Sequence, residues 1–259
     1  MSDDATPKRT GLPIAGQPSS PQPSEADRQF LEQEREISTP EFLQAVLEDQ
    51  REEVAKMIVA DDRLVRSRDI AGATAVQLAV YHGLDEMLGV LVRSGVDLDL
   101  WESAAIGDAE RVAVWIDAEE SLLDETSQDG FTALALAAYY GRREVLDLLL
   151  ARGADPNRVA DNPTRVQPLH AAAAHRDSDA SQHAVGALLA AGADPDVEQA
   201  GGFRPLHNAA GRGDLAVVEL LLAHHADPTA ASDLGLTPAA LAAERGHDAV
   251  AERLRQRPS

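Results

Sequence analysis

Eight histidines, several adjacent carboxylates and one Arg-Gly-Asp triplet are the residues whose types could do chemistry in this chain. A metal site needs several donors converging on one point, and His175 and His183, with Asp177 and Asp179 between them, form the stretch that groups such donors most closely. His224 and His225 are neighbours on a helix end and so point to different faces. Asp61-Asp62 and Glu119-Glu120 fall at equivalent loop positions and read as solvated turn residues, because nothing around them suggests a pocket that would split their pKa values into an acid and a base. Arg212-Gly213-Asp214 spells an adhesion tripeptide, but a regular spacing already dictates Gly213. The chain has no cysteine, no G-x-S-x-G, no H-E-x-x-H and no glycine-rich phosphate loop. We therefore expect no catalytic residue, no cofactor and no metal; an enzyme with its site at residues 175–183 is the alternative reading.

Aromatic residues make up only 3 % of the chain, so where they stand carries information. Tyr139 and Tyr140 sit side by side before Gly141, and Tyr81 precedes His82 and Gly83. Recognition surfaces concentrate Tyr, Phe and Arg at their centres, which makes these rings candidate anchors for a partner.

What positions them is a repeat. Aligned on a turn glycine, the chain reads HGLDEMLGVLVRSGVD from His82, YGRREVLDLLLARGADPN from Tyr140, RGDLAVVELLLAHHADPT from Arg212 and RGHDAVAERLRQ from Arg245, with Gly213 and Gly246 standing 33 apart (246−213). In AAYYGRREVLDLLLARGADPN, the apolar residues Val145, Leu146, Leu148, Leu149 and Leu150 have the spacing of an amphipathic helix. Each unit has an upstream piece: GATAVQLAV from Gly72, GFTALALAA from Gly130, VQPLHAAAA from Val166, GFRPLHNAA from Gly202 and GLTPAALAA from Gly235. Thr237 before Pro238 predicts an N-cap followed by proline at the first helical position, and Gly153 and Gly192 predict helix ends with positive φ. Two weaker units, Phe42 to Val65 and Leu100 to Leu123, align with each other without a gap and place Asp49 on Gly107.

The openings resemble the G-x-T-P-L-H-x-A-A helix start of ankyrin repeats, and the G-A-D-x-N pieces resemble their fingers, over most of residues 40–257. The resemblance implies an all-α ankyrin-repeat solenoid of about seven helix-turn-helix repeats with short finger loops, occupying residues 39–259. It also implies that His170 and His207 serve the fold by hydrogen-bonding around helix starts. A concave groove is implied too, with binding residues just before the turn glycines and at the finger tips. On that register the partner-binding positions are Tyr81, His82, Ile106, Phe131, Tyr139, Tyr140, His175, Phe203 and Arg212.

Three departures stand out. Only 24 residues separate Gly83 from Gly107 (107−83), so about nine of the period are missing and the finger is the expected loss, with Asp97 or Asp99 as the cap of the next helix. The fifth unit carries extra residues in HRDSDASQH, expected between its two helices, and the finger from Asn157 to Arg165 is slightly long and contains Asn162-Pro163. Upstream, residues 1–24 are rich in Pro and Ser and are expected to be a disordered tail, and a capping helix is expected over 25–38. The last helix, HDAVAERLRQR, is expected to cap the array with a polar outer side.

A formal net charge of -21 opposes binding to phosphate backbones and anionic lipid, so nucleic acid and membrane surfaces are poor partners and a basic protein is favoured. The same charge suits an inhibitor or immunity-type protein of a basic enzyme. No apolar run reaches membrane-spanning length and the start lacks a signal-peptide core, so a reducing, cytoplasmic setting is expected. The sequence leaves the oligomeric state open.

Overall fold

A computed structural model describes residues 40–70 and 72–256; the proposed tail and the capping helix over 25–38 lie outside them. The described residues form fourteen α-helices in seven antiparallel pairs. They are α1 (Pro40–Leu47) with α2 (Arg51–Ala60), α3 (Ala75–Tyr81) with α4 (Asp85–Arg93), α5 (Leu100–Ile106) with α6 (Ala109–Ala118), and α7 (Ala133–Tyr139) with α8 (Arg143–Ala151). There follow α9 (Pro168–Ala173) with α10 (Ser178–Ala190), α11 (Pro205–Arg212) with α12 (Leu215–Ala223), and α13 (Pro238–Glu244) with α14 (Asp248–Arg255). Short 3₁₀ turns at Asp62–Arg66 and Glu120–Asp124 follow α2 and α6, and the extended structure among the described residues is limited to the bridges Arg68 to Thr74 and Thr126 to Thr132.

The first helix of each pair is short and alanine-rich because its starting cap fixes it and its small residues let neighbours approach. Thr74, Asp99, Thr132 and Thr237 each accept the N3 amide through their side chains. Where histidine occupies N3 the roles reverse. Nδ1 of His170 accepts from the Gln167 amide at 3.3 Å, and Nδ1 of His207 from the Arg204 amide at 3.1 Å. Nε2 of each ring then donates to the next repeat, His170 to the Phe203 carbonyl at 3.2 Å and His207 to the Leu236 carbonyl at 2.9 Å. An imidazole that accepts on one nitrogen and donates on the other is neutral, so these buried rings are fold residues as expected.

Second helices bury one stripe each: Val145, Leu146 and Leu149 on α8, and Val217, Val218 and Leu221 on α12. Truncating one, as in Leu149→Ala, costs about 2–5 kcal/mol of lost transfer energy and cavity. Fingers stack by main-chain bonds from Asp161 to Gly130, Ala200 to Thr164 and Asp233 to Gly201 at 2.8–3.0 Å. The turns inside successive pairs also pack on one another: a Cβ added to Gly141, between α7 and α8, would stand 2.7 Å from Nε2 of His175, between α9 and α10, and one on Gly213, between α11 and α12, would clash with Nδ1 of His247, between α13 and α14. His247 is thus a half-buried packing residue. The left-handed backbone of Asp49 (φ 55) matches that of Gly107 (φ 92), which bears out the alignment of the two weaker units.

The fifth unit differs from expectation. Its extra residues enter α10, which has 13 residues against nine in α8, because Asp177 caps the helix by accepting from the Ala180 amide at 2.8 Å and so starts it early. The short junction behaves as expected: α4 ends at Arg93, no finger intervenes, and Asp99 caps α5. With that finger gone, the fingers on either side become neighbours, since a Cβ on Gly72 would lie 3.2 Å from Oε1 of Gln128. Trp115 and Trp101 tie the closed junction through their indole N–H groups, to the Leu98 carbonyl at 3.1 Å and the Glu125 carbonyl at 3.2 Å. On α14, Val250, Ala251 and Leu254 face inward, and Arg253 reaches back to Glu219 at 2.8 Å.

Candidate functional site

The first helices and fingers line a groove, and an open cleft of about 540 Å³ lies in it. Tyr81 enters it from the end of α3; Phe131 from the finger before α7; and Tyr139 and Tyr140 from the end of α7. The two adjacent tyrosines meet edge to face, with ring centroids 5.0 Å apart and planes at 89°. Tyr139 is 51 % exposed and Tyr81 45 % exposed, while Tyr140 is half-buried against the core of the N-terminal repeats. Single exposed apolar residues are ordinary, but four rings converging on one concavity are not.

Tyr81 donates its hydroxyl to the Asp129 carboxylate, which also accepts from the Ser127 hydroxyl. Burial first, and Asp129 second, push the Tyr81 hydroxyl well above the ordinary phenol range, and burial does the same to Tyr140. Both therefore remain neutral hydrogen-bond donors at physiological pH. Beneath this rim lies Glu102, 5 % exposed, accepting from the Thr74 hydroxyl and the Asp99 amide. Burial raises the pKa of Glu102 and of Asp99.

The far end of the cleft is polar, with Thr164, Gln199 and Asn208 around the neutral His170. Asn208 donates to the His170 carbonyl at 3.1 Å. None of these polar residues, nor Asp129, was picked out from the sequence. A signal exists for part of the set: Leu136, Ala171 and Asn208 each follow the N3 residue of their helix, so one helical position faces the cleft in successive repeats.

The structure brings together Tyr81, Phe131, Tyr139 and Tyr140, and sets the other predicted residues elsewhere. His82 is exposed at the end of α3, and Ile106 is half-buried beside the cleft. His175 bonds to Asp177 at 3.1 Å and covers Gly141. Phe203 lies edge to face on His207, with centroids 5.4 Å apart. Arg212 donates to the Arg176 carbonyl at 3.3 Å. His183 pairs with Asp147 at 2.9 Å, whereas His175 bonds to Asp177. Among the described residues no three His, Cys, Asp or Glu gather as a metal site would require, and no helix is long and apolar enough to cross a membrane.

Comparison with known proteins agrees with this geometry. A family model described as ankyrin repeats (3 copies) matches residues 100–195 and again 169–258. The mouse (Mus musculus) B-cell lymphoma 3 protein homolog is 28 % identical over 169 residues, covering 65 % of this chain and 32 % of that protein. The rice (Oryza sativa subsp. japonica) E3 ubiquitin-protein ligase XB3 is 38 % identical over 88 residues, covering 34 % of this chain and 19 % of the rice protein. The chain thus spans about a third and about a fifth of the lengths of these two relatives.

Proposed function

The chain belongs to the ankyrin-repeat family, and from that premise we propose that it is a non-enzymatic protein-interaction module whose partner docks in the concave groove over Tyr81, Phe131, Tyr139 and Tyr140. The observation that carries this reading is the gathering of all three tyrosines of the chain on one cleft. The repeat itself asks only for small residues, a turn and an apolar stripe at these positions. The exposed parts of Tyr81 and Tyr139 add nothing to the packing of the solenoid, whereas a partner that covers them gains that apolar area.

The net charge of -21 favours a basic partner, by raising its encounter rate and by repelling acidic competitors. A cytoplasmic setting fits the absence of cysteine. Affinity capture with the full chain and with Tyr139→Ala, each checked by its melting curve, tests the proposal. A protein captured by the first and lost from the second, at unchanged melting, supports docking in the cleft. Capture indifferent to Tyr139 moves the interface away from it.

A further inference from the structure

We propose that the cleft seats an arginine side chain of the partner against the rings of Tyr81, Phe131, Tyr139 and Tyr140; this rests on the groove reading above and names the chemistry the groove selects.

Ring faces that stay open to solvent attract cations, because the π system carries negative charge on its face. Tyr81 and Tyr139 line the cleft at 45 % and 51 % exposure, which leaves ring surface for a cation to stack on. The phenol of Tyr81 donates to the carboxylate of Asp129, which polarises the ring towards greater electron density and keeps an anion at the cleft edge. Beyond the site, the net charge of -21 draws cations from a distance.

The lining chooses among cations. It contains four aromatic rings, three of them phenols, the neutral imidazole of His170, aliphatic groups, one threonine hydroxyl and two amides, and no carboxylate. A lysine ammonium is compact and strongly hydrated, and would exchange its water for too few acceptors. A guanidinium is weakly hydrated and flat, so it stacks on a ring while its in-plane N–H groups reach outward to acceptors such as the side-chain oxygens of Gln199 and Asn208. The concavity of about 540 Å³ is large enough for that side chain and part of its main chain. An apolar side chain would fill the same space equally well, so charge and planarity are what separate the readings.

The probes are capped pentapeptides of glycine with a central arginine, lysine, citrulline or norleucine. Citrulline keeps the shape of arginine without its charge, and lysine keeps the charge without the plane. The full chain, labelled with ¹³C in its tyrosine rings, gives three assignable ring signals. We expect the arginine peptide to shift the signals of Tyr81, Tyr139 and Tyr140 and to bind about 3- to 30-fold more tightly than the citrulline and norleucine peptides. It should also exceed the lysine peptide at least threefold, and Tyr139→Leu, which keeps apolar bulk, should abolish the preference.

Equal binding of norleucine or citrulline overturns the proposal, because the cleft is then merely apolar. Equal binding of lysine overturns it too, leaving only the long-range field, as does an arginine peptide that leaves the tyrosine signals unmoved. The two readings fail separately. Loss of a captured protein on Tyr139→Ala without any arginine preference keeps the groove and discards the arginine subsite, whereas an arginine preference with capture indifferent to Tyr139 does the reverse.

Discussion

The hydroxyl of Tyr81, at the end of the second first-helix, donates to the carboxylate of Asp129, in the finger of the fourth repeat. Two repeats that are not neighbours in sequence are thereby tied across the groove. The contact exists because the third repeat has lost its finger, which lets the flanking fingers close up until Gly72 abuts Gln128. The deletion thus assembles the cleft, by bringing Tyr81 to the tyrosines of α7.

Removing that hydroxyl measures the tie. Tyr81→Phe keeps the ring and is expected to cost about 0.5–1.5 kcal/mol of unfolding free energy, the net worth of one hydrogen bond. A double-mutant cycle with Asp129→Asn checks the assignment: the paired loss should be clearly smaller than the sum of the single losses. Strict additivity would show that the two groups do not interact in solution.

The adjacent tyrosines should separate by role. Tyr139 is 51 % exposed, so Tyr139→Ala is expected to change stability by less than about 1 kcal/mol. Tyr140 is half-buried against the core of the N-terminal repeats, so Tyr140→Ala should cost about 2–4 kcal/mol. Chemical denaturation of both variants decides the point, and similar midpoints would mean that the burial difference between the rings is not real.

Much of this was legible from local pattern. Threonine or aspartate immediately before a helix announces a cap, and Thr237, Thr132 and Asp99 each serve as one, binding the amide three residues on. Positive φ at Gly153 and Gly192 followed from their place after an apolar stripe. The ankyrin resemblance, rather than local pattern, put Tyr81, Tyr139 and Tyr140 on the groove, and all three line the cleft. Other features depend on how repeats meet, which no local pattern encodes. Phe203 turned onto His207 because the finger glycine Gly201 leaves room for its ring beside that histidine. The extra residues of the fifth repeat lengthened α10 because Asp177 outcompeted a loop as cap. Asp129 drew no notice in sequence because only the closing of the gap places Tyr81 beside it.

Acid should loosen the array through its buried histidines. His170 is 1 % exposed, and burial pushes its pKa down to about 4, against about 6.5 in the unfolded chain. The unfolded state therefore binds the proton first. The stabilisation from the neutral ring is complete above about pH 6.5, declines as pH falls and is lost near pH 4, a change of about 3 kcal/mol. His207 shifts in the same direction, chiefly by burial. The check is the slope of unfolding free energy between pH 6.5 and 4, which should lessen by about one proton in His170→Gln whatever that variant's absolute stability. An unchanged slope would contradict the neutral, bridging tautomer.

Glu102 acts in the opposite sense. Its carboxyl pKa is raised by burial, so the folded state holds this proton more tightly than the unfolded chain, and stability gains as pH falls through the raised value. Glu102→Gln removes the buried charge while its amide can accept from the Asp99 N–H and donate to the Thr74 hydroxyl. The variant is expected to melt at or above the parent temperature at pH 8, and to lose that advantage at pH 4. A lower melting temperature at pH 8 would mean that the carboxylate is compensated by its neighbours.

Restoring the missing finger offers the sharpest test of how the cleft is made. An insertion of about nine residues between Val96 and Asp97 returns the third repeat to the family's period. It should push the second and fourth fingers apart and leave Tyr81 without Asp129. The array should still melt cooperatively, since each repeat keeps its nearest neighbours. In that background Tyr81→Phe is expected to cost nothing measurable, against about 0.5–1.5 kcal/mol in the parent, because the hydroxyl then points into water. The comparison cancels whatever the insertion itself does to stability. An equal cost in both backgrounds would mean that Tyr81 finds Asp129 without the deletion, and the short junction would then have no part in building the site.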